Sequence, residues 1–393
     1  MTSLGGVTLS SIPDIARHTM VHGIQRSFGD LLDNINLAPE LKKMRIEDLK
    51  EAGFLTERVL ASRLMTLADI NDPFARGTML TRFTGSASQG FSKLTLINHW
   101  NDLQKAVDAT LTQNRILRSV TSETLNKKDI AYLRFLGIDE ATQKIISQQY
   151  AKHGAKDGKA FVAGLKNWDD TPSVRNAELA FKAALRKEAD TAVVTKGVAD
   201  APIISNTPIG KLLFQFTGFL FGSHQRTIMR GLQQADAGTV FGITMMVSMG
   251  MLVAAMKQME REKSAELTGQ PIYGTPLAEW DTAKLLYEGV DRSGLLGLLG
   301  DFNNRFEKMG GYGLTRAMGI EEPARYTNRS KASVLLGPAA GKAESVLTVG
   351  ISPFDNKPMT DQEIKAARGL IPFQNITGIR FLFDSIQGNV TGE

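Results

Sequence analysis

The stretch from Thr207 to Met259, TPIGKLLFQFTGFLFGSHQRTIMRGLQQADAGTVFGITMMVSMGMLVAAMKQM, decides the fold of this chain. It holds two apolar blocks, Leu212–Phe221 and Ala237–Met256, and a short basic segment with Arg226 and Arg230 separates them. The second block carries no charge over its whole length. As a helix it would extend about 30 Å, which matches the hydrocarbon core of a bilayer. We therefore expect an apolar helical hairpin that is either buried in a helical core or placed in lipid.

Small residues in the second block favour close helix–helix contact. Gly238 and Gly242 form a G-x-x-x-G step, and Gly250 and Ala254 lie near the same face at helical spacing. The first block is too short to span a bilayer, so it is either an interfacial helix or the first arm of a buried hairpin. The residues that we predict for membrane or helix-packing contact are Leu212, Phe214, Phe216, Phe219, Phe221, Gly238, Gly242, Met246, Gly250 and Ala254.

Basic residues flank both blocks, where they could meet lipid headgroups or DNA. The candidates are Lys211, Arg226, Arg230, Lys257 and Arg261. The glycines and threonines of the second block lower its hydrophobicity. This moderate character favours a conditional span, which is soluble in one state and embedded in a membrane in another.

The composition excludes several classes of protein. The 393 residues include no cysteine, which excludes disulfides, a thiol nucleophile and a zinc site built on thiolates. The formal net charge is +5, but basic and acidic residues alternate in most segments, so we expect no sequence-specific DNA binding. Met1–Gly6 lacks the basic start and apolar core of a signal peptide.

Helical periodicity and breaks predict an all-α chain, an extended multi-helix assembly with the apolar hairpin near its middle. Residues 90–120 form an amphipathic helix with an apolar stripe that includes Leu96, Trp100, Leu103, Val107 and Leu111. Residues 153–158 are predicted as a loop, and Thr360 to Glu363 as a capping box. We divide the chain into a helical region (1–200), the hairpin (201–260) and a C-terminal helical region with Gly/Pro-rich breaks (261–393).

Motifs for catalysis, cofactors or metals are weak. Glu344 before Ser345 matches the Glu-Ser pair of lytic transglycosylases, but the downstream elements that shape a sugar cleft are missing. His18 and His22 have the i, i+4 spacing of a helical metal pair, and no acid completes an H-E-x-x-H motif. We therefore predict no enzyme activity, no catalytic, cofactor or metal residues, and no cofactor.

The order of elements around the hairpin resembles the C-terminal region of the large internal virion (ejection) protein of short-tailed phages. The resemblance rests on IGKLLFQFTGFLFGSHQRTIMRGL (Ile209–Leu232), the AAMK sequence (Ala254–Lys257) and VDRSGLLGLLG (Val290–Gly300). LGGVTLSSIPDIA (Leu4–Ala16) resembles an upstream element more weakly. The match covers about 150 residues, from Pro208 to Gly350.

The resemblance implies a structural protein of the virion interior. Such proteins leave through the tail, enter the host periplasm and inner membrane, and form a conduit for the genome. The implied partners are further copies of this chain, other ejection proteins, the portal, double-stranded DNA bound non-specifically, and the host inner membrane. The alternative is a soluble helical capsid-core or scaffold protein whose hairpin only packs subunit against subunit.

Overall fold

The chain folds into α-helices over nearly all of the part that the computed structural model describes. This part comprises residues 6–54, 97–193, 207, 237–272, 274–319, 334, 338–351, 360–371, 374–376 and 379–391. The prediction of an all-α fold is confirmed. The first arm of the predicted hairpin lies outside the described residues.

The helices fall into two groups along the chain. The first group is α1 (Val7–Ser10), α2 (Ile15–His22), α3 (Leu31–Ile35), α4 (Pro39–Glu51), α5 (Ile97–Val120), α6 (Lys127–Leu136), α7 (Glu140–His153) and α8 (Pro172–Ala192). The second group is α9 (Ala237–Thr268), α10 (Thr282–Ser293), α11 (Gly297–Lys308), α12 (Leu314–Ala317), α13 (Pro338–Ile351), α14 (Asp361–Leu370) and α15 (Ile379–Thr391). Shorter elements are the 3-10 helices Ile12–Asp14, Leu165–Asn167 and Leu277–Glu279, the π-helix Gln25–Asp30, and the strands β1 (Ala155–Asp157) and β2 (Ala160–Val162).

Side-chain caps begin many of these helices, because a side-chain oxygen accepts a hydrogen bond from a free N–H of the first turn. The residues with this role include Asn126, Asp139, Thr171, Asp281 and Thr360. The predicted capping box is confirmed, since Thr360 and Glu363 exchange both of its hydrogen bonds. Gly294 ends α10 in the left-handed conformation that glycine adopts without strain.

The N-terminal core is the apolar cluster between α4, α5, α6, α7, α8 and the two strands. Leu117, Leu133, Ile146 and Phe181 are fully buried there and bring four helices together. Asp48 at the end of α4 connects this core to the segment after β2, because its carboxylate accepts hydrogen bonds from three successive backbone N–H groups, at residues 163, 164 and 165.

The apolar stripe predicted for α5 is only partly correct. Leu111 is buried, but Leu103 is exposed. The most buried part of the helix, residues 108–114, includes the polar residues Asp108, Gln113 and Asn114. These side chains bond to other elements, so hydrophobic periodicity alone does not identify the inner face.

The prediction of a loop at residues 153–158 is wrong in part. Ala155–Asp157 and Ala160–Val162 form a two-stranded antiparallel hairpin. Each strand has three residues, which is too few for the alternating pattern that reveals a strand. β2 is buried at all three positions, so its sequence does not alternate at all.

The C-terminal bundle consists of α9, α10, α11 and α15. α9 packs along α10 and α15, and α2 from the start of the chain packs against its N-terminal half. The charged stretch Glu260–Glu266 continues α9 instead of following it, so the division predicted at residue 260 falls inside this helix. α9 ends at Thr268, and Gly269, which follows it, has a φ of +64°.

Candidate membrane-contact site

α9 carries the second apolar block of the predicted hairpin. Among the described residues, it is the helix with the length and composition to cross a membrane. The same properties occur in the core helices of soluble proteins, so they do not decide its environment. About a third of its most apolar 18-residue stretch is buried against the rest of the chain, and the other residues are partly or largely exposed.

One face of α9 approaches α2 very closely at Gly242. A Cβ atom at this position would lie 2.6 Å from the Cβ of Met20 and 2.7 Å from its Cα. Met246, one turn further, is fully buried and packs with Ala16 and Met20. Glycine at position 242 therefore lets the backbone of α2 rest directly on α9.

A second close approach joins α9 to α10. A Cβ at Gly250 would lie 2.1 Å from the carbonyl oxygen of Gly289, and a Cβ at Gly289 would lie 2.3 Å from Cγ of Met251. Two glycines thus face each other across the interface. Ala254 is also buried on this side, whereas Gly238 is half-buried near the start of the helix.

The opposite face of α9 is apolar and exposed. Phe241, Leu252, Met256 and Met259 lie along this side of the helix and are exposed, Leu252 and Met259 to 55% and 58%. Val240, 65% exposed, and Ile243 are also exposed but lie nearer the packed side, close to the start of the helix. The hydroxyls of Thr244 and Ser248 interrupt this stripe in the sequence. Each donates to the carbonyl four residues earlier, at 3.0 and 2.9 Å. These bonds satisfy the hydroxyl protons within the helix, so the face presents mainly hydrocarbon.

The two predicted cations of α9 make contacts within the chain. Lys257 donates to the hydroxyl of Ser10. Arg261 is partly buried and donates to the side-chain oxygen of Gln258 at 3.4 Å. Lys263, on the next turn, is exposed and pairs with Glu266 at 2.9 Å. Headgroup contact by Lys257 or Arg261 would therefore compete with these interactions.

From residue 237 onward, the described part of the chain has a mostly polar interior. Among the described residues from 237 onward, buried polar or charged side chains outnumber buried apolar ones by thirteen to five. Within residues 97–193 the relation is reversed, with twenty-three apolar and nine polar. In the C-terminal bundle, the amide of Asn304 donates to Asp291 at 2.8 Å and accepts from the hydroxyl of Tyr287 at 2.6 Å.

The paired histidines of α2 bind an acid that lies far away in the sequence. Nδ1 of His18 and Nε2 of His22 each lie 3.0 Å from the same oxygen of Asp108 on α5, and all three side chains are buried. Burial raises the pKa of Asp108, but attraction to His22 and hydrogen bonds with both imidazoles outweigh this and hold the pKa below its usual range. The described residues hold no cluster of His, Cys, Asp or Glu arranged for a metal ion. The contacts of His18 and His22 with Asp108 instead fasten α2 to α5.

Several predicted site residues lie outside the described residues. They are Lys211, Leu212, Phe214, Phe216, Phe219, Phe221, Arg226 and Arg230. Sequence reasoning also missed Gly289 and the polar interior, because their significance depends on which helices meet. Comparison with family models, curated proteins and solved structures found no match to this chain.

Proposed function

We propose that this chain is a structural protein that acts at a membrane, and that it is an ejection protein of a short-tailed phage. One observation carries the membrane part of the proposal. α9 exposes a stripe of large apolar side chains and bonds its hydroxyls internally, while glycines hold its other face against protein. This is the arrangement expected of a helix with lipid on one side and helices on the other.

The polar interior of the C-terminal bundle supports lipid as the partner. A soluble bundle gains most of its stability by burying apolar side chains, at about 25 cal/mol per Å². The bundle instead buries many polar groups and leaves Val240, Leu252 and Met259 more than half exposed. Large exposed apolar patches mark interaction surfaces, and a bilayer covers such a surface without needing a matching shape.

The resemblance of residues 208–350 to phage ejection proteins supports the more specific role. In that role the chain is stored in the virion interior, passes through the tail and reaches the host periplasm and inner membrane. There, copies of the chain assemble with other ejection proteins into a conduit for double-stranded DNA. The absence of cysteine and the helical fold suit a chain that must refold after passage, because helical turns form from local contacts.

The second candidate is a soluble capsid-core or scaffold protein. The exposed stripe of α9 favours this candidate as well, because the same side chains could pack against another copy. The two candidates differ in lipid binding. A scaffold surface binds another protein surface and does not bind vesicles, whereas a membrane-contact surface binds vesicles.

Vesicle flotation separates the two candidates. We expect the wild-type chain to float with anionic liposomes, if necessary after mild partial unfolding. A double variant, Val240→Asp with Leu252→Asp, should remain at the bottom of the gradient. The matched control is Leu179→Asp on α8, because Leu179 is exposed to the same extent as Val240, 65%.

Two results would count against membrane contact. One is that the wild-type chain fails to float under any of these conditions. The other is that the double variant floats as well as the Leu179→Asp control. Light scattering of the same variants tests the scaffold candidate. If that candidate is correct, the double variant loses self-association, and neither the wild-type chain nor the variants bind vesicles.

A further inference from the structure

α11 is turned with its polar face inward and its apolar face outward. Asp301, Asn304 and Glu307 are buried, with exposed fractions of 5%, 0% and 3%. The exposed side chains follow the helical spacing 299, 302, 306 and 309 and are Leu299, Phe302, Phe306 and Met309, each between 44% and 66% exposed. A surface helix of a soluble domain shows the opposite orientation.

Specific partners hold the polar face in place. Asn304 bonds to Tyr287 and Asp291 of α10. Glu307 accepts a hydrogen bond from the backbone N–H of Thr315 at 2.8 Å, at the start of α12. These bonds offset the loss of hydration of the buried groups, so the inward orientation of this face is stabilised and the apolar face must point outward.

In residues 297–319, the acidic side chains are buried and the basic side chains are at least partly exposed. Both acids of residues 297–319, Asp301 and Glu307, are buried. The cations are not: Arg305 and Lys308 are partly exposed, and Arg316 is exposed. The outer surface of α11 and α12 therefore combines apolar and basic side chains without an exposed carboxylate.

We propose that the outer surface of residues 299–318 lies flat in the headgroup region of an anionic bilayer. α11 has 12 residues, which is too short to span, whereas an apolar face with basic flanks suits an interfacial helix. A second copy of the chain fits less well, because contact of this surface with itself would place basic side chains of both copies in one interface without an exposed carboxylate to pair with them. This inference deepens the proposed membrane function and rests on it.

Single-cysteine labelling tests the proposal, since the chain contains no cysteine of its own. A polarity-sensitive fluorophore is placed at Phe306→Cys on α11, at Leu252→Cys on α9, or at Leu179→Cys on α8 as the control. With phosphatidylcholine vesicles containing phosphatidylserine, we expect a blue shift at positions 306 and 252 and none at 179. A headgroup nitroxide should quench position 306 more strongly than position 252, and a bilayer-centre nitroxide should do the reverse.

The outcomes separate this inference from the proposed function. A response at 252 without one at 306 overturns the interfacial helix and leaves the proposed function standing. No response at either position overturns both. A blue shift at 306 that depends on protein concentration without vesicles identifies a second copy as the partner and also overturns the inference.

Charge variants provide an independent measurement. Lys308→Gln with Arg316→Gln should weaken binding to anionic vesicles about thirtyfold and leave binding to neutral vesicles unchanged, since each surface cation contributes about 1 kcal/mol near an anionic membrane. Equal binding of the variant and the wild-type chain to anionic vesicles would contradict the proposal.

Discussion

Replacing Gly250 with alanine tests the close approach of α9 and α10. The new Cβ would lie 2.1 Å from the carbonyl oxygen of Gly289 and 3.0 Å from the backbone nitrogen of Ser293. Both atoms belong to the backbone of α10, so no side-chain rotation can relieve the contact. The two helices would have to move apart by about 1.3 Å or more to bring the 2.1 Å contact to an ordinary van der Waals distance.

Two effects of opposite sign set the size of the change. Alanine in a helix interior is favoured over glycine by about 1 kcal/mol. Overpacking costs about 1–3 kcal/mol, and the upper end applies here because only whole helices can shift. We therefore expect a net loss of about 2 kcal/mol in the free energy of unfolding. If the 393 residues unfold as one unit, the loss corresponds to a fall of about 2–3 °C in melting temperature.

The assay is thermal unfolding followed by far-UV circular dichroism, with Gly350→Ala as the matched control. Gly350 is also helical, but a Cβ there has no neighbour within 4 Å, so we expect no loss of stability. Hydrogen exchange should show that the loss in Gly250→Ala is concentrated in α9 and α10. The reasoning is refuted if Gly250→Ala melts at or above the temperature of the wild-type chain.

The remaining predictions concern buried acids and can be checked by urea unfolding. Asp48→Ala should lower the free energy of unfolding by about 3 kcal/mol or more, because it leaves several buried backbone donors without an acceptor. The control, Asp139→Ala, removes only an exposed helix cap worth about 1 kcal/mol. Similar losses in the two variants would contradict this prediction. Asp108→Asn should destabilise the chain at pH 7 and flatten its pH dependence. Because the folded-state pKa of Asp108 lies below its unfolded value near 4, its contribution is present above about pH 4 and is lost as the pH falls further. A variant that parallels the wild-type chain between pH 5 and 2 would show that the contacts with His18 and His22 contribute little.

Local signals in the sequence predicted the helices well. Caps and glycines act within one or two turns, so the capping box at Thr360 and Glu363 and the helix near residues 97–120 could be recognised without tertiary information. The short strands could not, since three residues give no periodicity. What failed in α5 was the choice of inner face, because Gln113 pairs with Asp48, which is 65 residues away in the sequence.

The glycines of α9 illustrate a second limit. Their spacing indicated a surface for close packing, and Gly242 and Gly250 lie where other backbones approach. The sequence did not identify the partners, Met20 and Gly289, because nothing in the local pattern of α2 or α10 marks them as neighbours of α9. The pairing of His18 and His22 with Asp108 was hidden in the same way, because the H-E-x-x-H motif considers only an acid on the same helix and Asp108 lies on α5.

The orientation of α11 shows why sequence periodicity cannot decide the environment of a helix. One apolar and one polar face give the same pattern whichever face is buried. In water the apolar face normally turns inward, but in α11 the hydrogen bonds of Asn304 and Glu307 fix the polar face inside. The exposed aromatic rings Phe302 and Phe306 then raise the free energy of the folded chain in water. A medium that is apolar or interfacial outside the bundle removes this penalty without disturbing the polar interior. The same argument holds for the exposed stripe of α9, so two separate helices favour lipid contact by this half of the chain.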